Sequence, residues 1–548
     1  MVCQSYLLAK NWLSWCPHTV RGLFMIVDPI GPHIARWNVA RGENFEKDTV
    51  LETDFCIVGS GAGGAVAAAM LSAKGHRVTI IEEGPFKYEK DFHMLESEAY
   101  PDLYQESGSR KTKDHAIQIF QGRSVGGSTT VNWATCFRTP EVTLRHWEAE
   151  FGVKGIETET LSPWFERVEK EFSITPWEVT PNANNLMLAR GLETLGIKWQ
   201  TIKRNVKGCR NLGYCGVGCP VNAKQSTLVT KIPEALDAGA QLISEMKALK
   251  FQFKGDQISE LTCVPMVKNE EKKIKVSVRA KHYILGAGSI GSPALLLRSE
   301  APDPHKLIGK RTFIHPVNVS AGLSEEAIFA NSGAPQSVYT DHFLENNPAT
   351  DPVGFKIETA PMLPILLSQV VRGHGDAHFD LMTQFPFISN MIALMRDGFH
   401  EESPGGEVHL RSDGSPVLDY QVPPYLWEGF KRAWLQMAEI QFAAGAKFVL
   451  PIHSSSQGFS KWSDAKREIP NLPAELFAAK LFSAHVMGGL PFGEDPKKSV
   501  LDSFGKFRNL ANLTVVDGSM FPTSIGANPQ ESIFAFSYRN TDALLHRI

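Results

Sequence analysis

The hydrophobic pattern along the chain changes its period several times, and each change predicts an element. "DFCIVGSGAGGAVAAAMLSAKGHRVTIIEEGP" (54–85) opens on FCIV, a short apolar run of β-favouring residues that predicts a buried strand. A glycine-rich turn follows, then AVAAAML, which predicts a helix ending near Gly75, then RVTIIE, a second buried strand. The rhythm of strand, turn and helix recurs twice. "HYILGAGSIGSPALLLRSE" (282–300) predicts a strand, a Gly/Ala turn and a Leu-rich helix opened by Ser292–Pro293. "NLTVVDGSMFPTSIGANPQESIFAFSYRNTDALL" (512–545) predicts a strand ending in Asp517–Gly518, a loop, and a helix opened by Asn528–Pro529.

Between these segments the pattern is different. "FKIETAPMLPILLSQVV" (355–371) and "FDLMTQFPFISNMIALM" (379–395) are apolar almost throughout. "GEVHLRSDGSPVLDYQV" predicts a hairpin turning at Asp413–Gly414, and "WEGFKRAWLQMAEIQFAAGA" (427–446) has helical spacing. Strands alternating with helices predict an α/β fold with a Rossmann-like lobe. At 548 residues the chain is too long for one core, so a second lobe is expected.

Gly59, Gly61 and Gly64 stand at G-x-G-x-x-G spacing between the first strand and its helix. Gly59 permits the tight turn, Gly61 admits a pyrophosphate close to the backbone, and Gly64 lets helix and strand pack closely. Ser60 lies within the turn, and the phosphates are expected on the helix N-terminus, where free N–H groups favour anions. Glu82, at the end of the second strand, is placed to bond a ribose hydroxyl, with Glu83 the neighbouring alternative. An acid there disfavours a 2′-phosphate, leaving FAD or NAD. In "GRSVGGSTTVNWATCFRTP" (122–140), Gly126, Gly127, Ser128 and Asn132 form a second stretch whose backbone lets a flat ring approach.

Taken in order, these four segments resemble the glucose–methanol–choline (GMC) oxidoreductase family, from about residue 50 to the C-terminus. The nearest resemblance is to the long-chain-alcohol oxidase and bacterial alcohol dehydrogenase branch, which shares a "C…C..GC….KQ" stretch. One departure is local: the second signature normally ends Ser-Gly, and here it reads Ser299–Glu300. The resemblance implies FAD, and hydride transfer to it from the carbon of an alcohol. It implies His485 as the base that takes the hydroxyl proton and Asn528 as its partner, the latter as in members acting on sterols, choline and long-chain alcohols. It places Asp517 and Gly518 against the FAD, and gives His315–Pro316 a structural part outside the site. A discontinuous FAD-binding domain is expected over 50–150, 205–320 and 475–548, with a substrate domain over 151–204 and 321–474 carrying an antiparallel sheet backed by helices. The apolar stretches of that domain suit a hydrophobic alcohol, such as a long-chain or sterol-like one. Relatives that keep FAD but act as lyases supply the alternative activity. Oxygen, a quinone and a partner protein all stand as electron acceptors.

Composition narrows the partners. Fifty-six basic against 59 acidic side chains leave a formal charge of -3, which excludes nucleic acid as the main partner. Cys209, Cys215 and Cys219 offer three thiolates in eleven residues, and two readings stand: the ligands of an iron–sulfur cluster feeding electrons to a partner, or a reduced, closely packed loop. The remaining cysteines are scattered, as suits a reducing, cytoplasmic setting. Residues 1–49 are expected as an N-terminal arm whose apolar clusters are broken by Lys10, Pro17, His18 and Arg21, too short to span a membrane but able to touch its surface.

Overall fold

The computed structural model describes residues 28–371 and 373–548, so most of the expected N-terminal arm lies outside the described residues. Among them no helix is long and apolar enough to cross a membrane. Two large sheets dominate an α/β architecture. The first runs in the order Asn38–Arg41, Gln241–Ser244, Val78–Ile81, Thr49–Val58, Val276–Leu285, with neighbours parallel. The strand Val276–Leu285 changes partner along its length. Its first half pairs antiparallel with Gln257–Val267, and its second half pairs parallel with Leu513–Val515. The parallel strands end together: Gly59 N–H donates to Ile81 O, Gly286 N–H to Val58 O, and Val516 N–H to Leu285 O. Their C-terminal ends open one crevice, the place where open α/β sheets bind ligands.

The helix Ala62–Ala73 lies against this crevice and is built of small residues because it has neighbours on both sides. A Cβ added at Gly63 would stand 1.9 Å from Val516 O, and Ser537 Oγ of the C-terminal helix Gln530–Leu545 donates to Gly63 O at 2.8 Å. No larger side chain fits between those layers.

The second sheet is largely antiparallel and has at its centre Val317–Leu323, Ile388–Met395 and Phe355–Glu358. The helix Pro424–Ala443 packs across it, with Trp434 Nε1 donating to Val319 O at 2.9 Å and Asn318 Nδ2 to Phe430 O at 3.0 Å. All of Ile388–Met395 is buried, which explains its unbroken apolar run. Met391, Ala393 and Met395 face the core with the helix, while Asn390, Ile392 and Leu394 line a cavity. The hairpin Glu407–Leu410 with Pro416–Asp419 forms as expected, and Gly414 takes φ +79° in its turn.

Two local expectations need revision. The helix after the second glycine turn starts at Gly288, with Pro293 inside it, and not at Ser292–Pro293. The earlier start is fixed by Asp517, whose carboxylate accepts Gly288 N–H at 2.8 Å and the Ser292 hydroxyl at 2.6 Å. The helix Gln530–Leu545 likewise has Pro529 at its N-cap, leaving the Asn528 side chain out of any capping bond.

At the departure Ser299–Glu300, Glu300 takes φ +55°, the left-handed conformation a glycine adopts without strain. The loop therefore keeps its course at the expense of a strained residue. Its exposed pairing with Lys250 at 3.4 Å contributes little. Replacing Glu300 with Gly is expected to stabilise the protein by about 0.5–1 kcal/mol, read as a higher urea midpoint.

Candidate active site

The two sheets enclose a cavity of about 580 Å³ that runs from the glycine turns to the second sheet. At its nucleotide end the three glycines are needed for three different reasons. Gly59 takes φ +94°, and a Cβ there would stand 2.4 Å from Gly286 O. A Cβ at Gly64 would meet Gly59 O at 2.0 Å. A Cβ at Gly61 has no protein atom nearer than 3.8 Å, so what needs glycine there is the cavity itself. That is what close approach of a pyrophosphate requires.

Ser60 ties the walls together. Its hydroxyl donates to Glu82 Oε2 at 2.7 Å and accepts from Gly126 N–H at 3.0 Å. Glu82 is buried, and burial raises the pKa of its carboxyl. Its Oε1 accepts Gly84 N–H at 2.9 Å, while Glu83 pairs with Arg123 at 3.3 Å. Both acids border the cavity, and Glu82 is the one built into the turn. Gly127 lies directly over Gly61, where its Cβ would come within 2.8 Å of the Gly61 Cα. Ser128 lines the cavity and accepts Gly122 N–H at 3.0 Å. Asn132 also lines it, bonded to Gln530 Oε1 at 2.7 Å. Asp517 and Gly518 border the same space, with the Asp517 carboxylate spent on Gly288, Ser292 and Ser519. These residues fit an extended dinucleotide such as FAD.

At the other end the structure brings His485 and Asn528 together, 43 residues apart in sequence, with Asn528 Nδ2 3.4 Å from His485 Nε2. Asn528 Nδ2 also reaches Glu358 Oε2 at 3.4 Å, and Asn528 Oδ1 is buried without a protein partner. Burial first, and the charge of Lys356 second, hold the His485 pKa down at about 3, so its imidazole is neutral throughout the physiological range.

The sequence reading left out His315, and the structure brings it to the site. Its Nδ1 is 3.1 Å from His485 Nδ1, and its Nε2 is buried without a protein partner. His315 takes φ +47°, and the Asp397 carboxylate braces that strained turn by accepting Ile314 and His315 N–H, each at 3.1 Å. A His-Pro pair carries no local sign of such a contact; only the pairing across 170 residues reveals it. Lys356, Glu358 and Gln336, also near the site, lie in no sequence signature.

The structure gives no support to the iron–sulfur reading of Cys209, Cys215 and Cys219. Among the described residues no group of three or more His, Cys, Asp or Glu is arranged to hold a metal ion. Cys215 opens the short turn Cys215–Val217 with its sulfur 3.9 Å from the Arg204 guanidinium, and Gly218 (φ +90°) turns the chain where a Cβ would overlap the Phe92 ring. The loop is a wall: Gly216 lines the cavity, and the buried Lys224 ammonium ties Cys215 O to Thr130 O and Asn132 O at 2.6–2.8 Å.

The glycine geometry separates two effects. Gly61→Val is expected to fold with the thermal midpoint of flavin-free wild type yet purify with roughly tenfold less bound flavin, read from visible absorbance. Gly64→Val is expected not to fold.

Comparison with known proteins agrees with this geometry. Models of the GMC oxidoreductase family match residues 100–317 and 402–537, and an NAD(P)-binding Rossmann-like domain matches 57–86. A GMC-type oxidoreductase of Sinorhizobium fredii is 28% identical over 92% of this chain and 97% of that protein. The long-chain-alcohol oxidase FAO4A of Arabidopsis thaliana is 25% identical over 89% of this chain and 68% of its own length. Among solved structures, pyridoxine 4-oxidase from Mesorbium loti superposes with a TM-score of 0.65 at 17% identity, covering 90% of this chain and 99% of that one. Formate oxidase gives 0.64 at 14%, covering 91% and 99%. This chain belongs to the GMC oxidoreductase family, as an FAD-dependent flavoprotein with a Rossmann-like cofactor fold.

Proposed function

We propose that the protein oxidises the CH–OH group of a hydrophobic alcohol, with His485 taking the hydroxyl proton and Asn528 orienting the hydroxyl. The observation that carries this reading is the His485–Asn528 pair, set in a cavity whose wall on the second sheet is apolar. Val317, Val319, Ile392 and Leu394 form that wall, and Leu363 and Leu367 extend it. Such a surface favours an alkyl or ring substituent over a sugar. The alcohol oxidase relatives in Arabidopsis thaliana support the same substrate class.

The chemistry follows from the hydrogen bonds. At 3.4 Å the Asn528–His485 contact is at the weak end for a hydrogen bond, so an alcohol oxygen competes for it. The Asn528 amide then donates to the alcohol oxygen while His485 Nε2 accepts the hydroxyl proton. One of the two facing Nδ1 atoms carries a hydrogen. When it is that of His485, Nε2 is left as the free lone pair, with His315 accepting behind it. A base of such low pKa suffices, because the hydroxyl becomes strongly acidic as the C–H bond breaks. FAD, when bound, supplies the two-electron acceptor for the departing hydride. The glycine turns, Glu82, Asn132 and Asp517–Gly518 would hold it, which would leave the second sheet as the substrate side of the cavity.

His485→Ala is expected to retain its yellow colour but lose about 10²–10⁴-fold of the anaerobic flavin-reduction rate across a panel of short, long-chain, sterol and sugar alcohols. Reduction by the long-chain or sterol members is expected to be fastest in the wild type. A wild-type flavin that stays oxidised with every alcohol would favour a lyase. Protonation of His485 lies near pH 3, so any loss of rate on acidification between pH 8 and 5 belongs to another group.

A further inference from the structure

We infer that Lys356 and Glu358 are positioning residues for this reaction: a cation and a carboxylate behind the cavity wall that hold the Asn528 amide and the His485 imidazole as the hydroxyl needs them. The inference rests on the functional reading above and adds to it.

The two residues alternate on the strand Phe355–Glu358 and share one face of it. Every residue of that strand is buried, Lys356 at 3% exposure and Glu358 at 0%. Neither borders the cavity, so neither is placed to touch substrate. A lysine and a glutamate inside a central strand cost stability that an apolar pair would not, so their presence calls for a function.

Glu358 meets the site directly. Its Oε2 accepts Gln336 Nε2 at 2.6 Å and Asn528 Nδ2 at 3.4 Å, and its Oε1 is buried without a partner. Gln336 is itself fixed, since its Oε1 accepts the Thr135 hydroxyl at 2.6 Å and its carbonyl accepts the Arg204 guanidinium. The carboxylate therefore has a rigid neighbour on one side and the Asn528 amide on the other. With Asn528 N–H groups directed at Glu358 and His485, the amide has one orientation, and its oxygen cannot take the place of its nitrogen. The Lys356 ammonium lies 3.3 Å from the Phe137 ring centroid and 4.7 Å from that of Tyr339, an aromatic cage that keeps a cation close to the site. Its charge favours an ionised Glu358 and a neutral His485.

The other charged or titratable groups around the pair are Tyr339 and Asp341 on the neighbouring strand and its turn, His485 and His315 across the site, and Arg204 behind Gln336. Burial pushes the Glu358 carboxyl up to about 7, against the lowering pull of Lys356 and Asn528. Ionisation makes Oε2 the stronger acceptor, so the hold on Asn528 is firmest above that pH and weakens as pH falls through it, while burial lowers the Lys356 ammonium to about 8, so its cation is present below that pH.

The test is anaerobic flavin reduction by 1-dodecanol from pH 5 to 9, in wild type, Glu358→Gln, Lys356→Met and His485→Ala, each checked for bound FAD. The wild-type rate constant is expected to fall as pH drops through about 7. Glu358→Gln is expected to reduce about tenfold more slowly at pH 8, with little change in the half-saturating alcohol concentration, and to lose that acid limb. Lys356→Met, which removes the favouring cation, is expected to move the limb upward to about pH 8. Should Glu358→Gln fail to retain FAD, the position of the Lys356→Met limb decides alone. A Glu358→Gln variant with the wild-type rate and limb, or a Lys356→Met limb that does not move, overturns the inference. Full reduction by His485→Ala overturns the functional reading instead, and an inactive His485→Ala beside an unaltered Glu358→Gln overturns only the positioning role.

Discussion

The partial withdrawal of His485 from water at the cavity wall is the constraint on which the rest of the site depends. An imidazole in water is half protonated near pH 6.5; at the junction of the two sheets, burial beside a lysine keeps it neutral. Both sheets are needed for this. The parallel sheet ends in a crevice of backbone turns with few side chains, and the antiparallel sheet closes that crevice with a wall of Val, Ile and Leu. Where they meet, each polar group has few partners, so an orphaned atom of a cavity-lining residue such as Asn528 Oδ1 is a strong demand for a ligand.

The same junction sets the backbone requirements. The Gly59–Gly61 turn, the Gly126–Gly127 turn and the Gly286–Gly288 turn approach one another closely enough that a single added carbon would collide with neighbouring backbone at Gly59 and Gly127 and press against it at Gly286. Ser60, Glu82 and Asp517 then convert three separate turns into one bonded frame. The strain stored at His315 is braced by Asp397, whose own carboxyl is held up at about 6 by burial and is bonded to the Tyr420 hydroxyl.

What the sequence made legible follows from the range of the interactions involved. The glycine spacing, the strand ends and the Asp413–Gly414 hairpin are local, and each formed where local chemistry placed it. The helix starting at Gly288 was misplaced because its start is set by Asp517, 229 residues away. His315, Lys356 and Glu358 were missed for the same reason, since an isolated histidine or a Lys-x-Glu on a strand acquires meaning only through partners from other elements. The three cysteines left two readings open, because spacing alone does not decide between shared ligation and a packed loop. Their closeness in sequence suggested shared ligation, yet glycine turns and Arg204 give the loop the role of a wall.

In the proposed reaction a hydride leaves the carbinol carbon of a hydrophobic alcohol while His485 takes the hydroxyl proton. Stopped-flow bleaching of the oxygen-free enzyme with 1-dodecanol and its 1,1-dideuterated form tests this most directly. Bleaching that is slower with the deuterated alcohol is the predicted result. A spectrum that neither alcohol changes, in protein with its full complement of FAD, would contradict it.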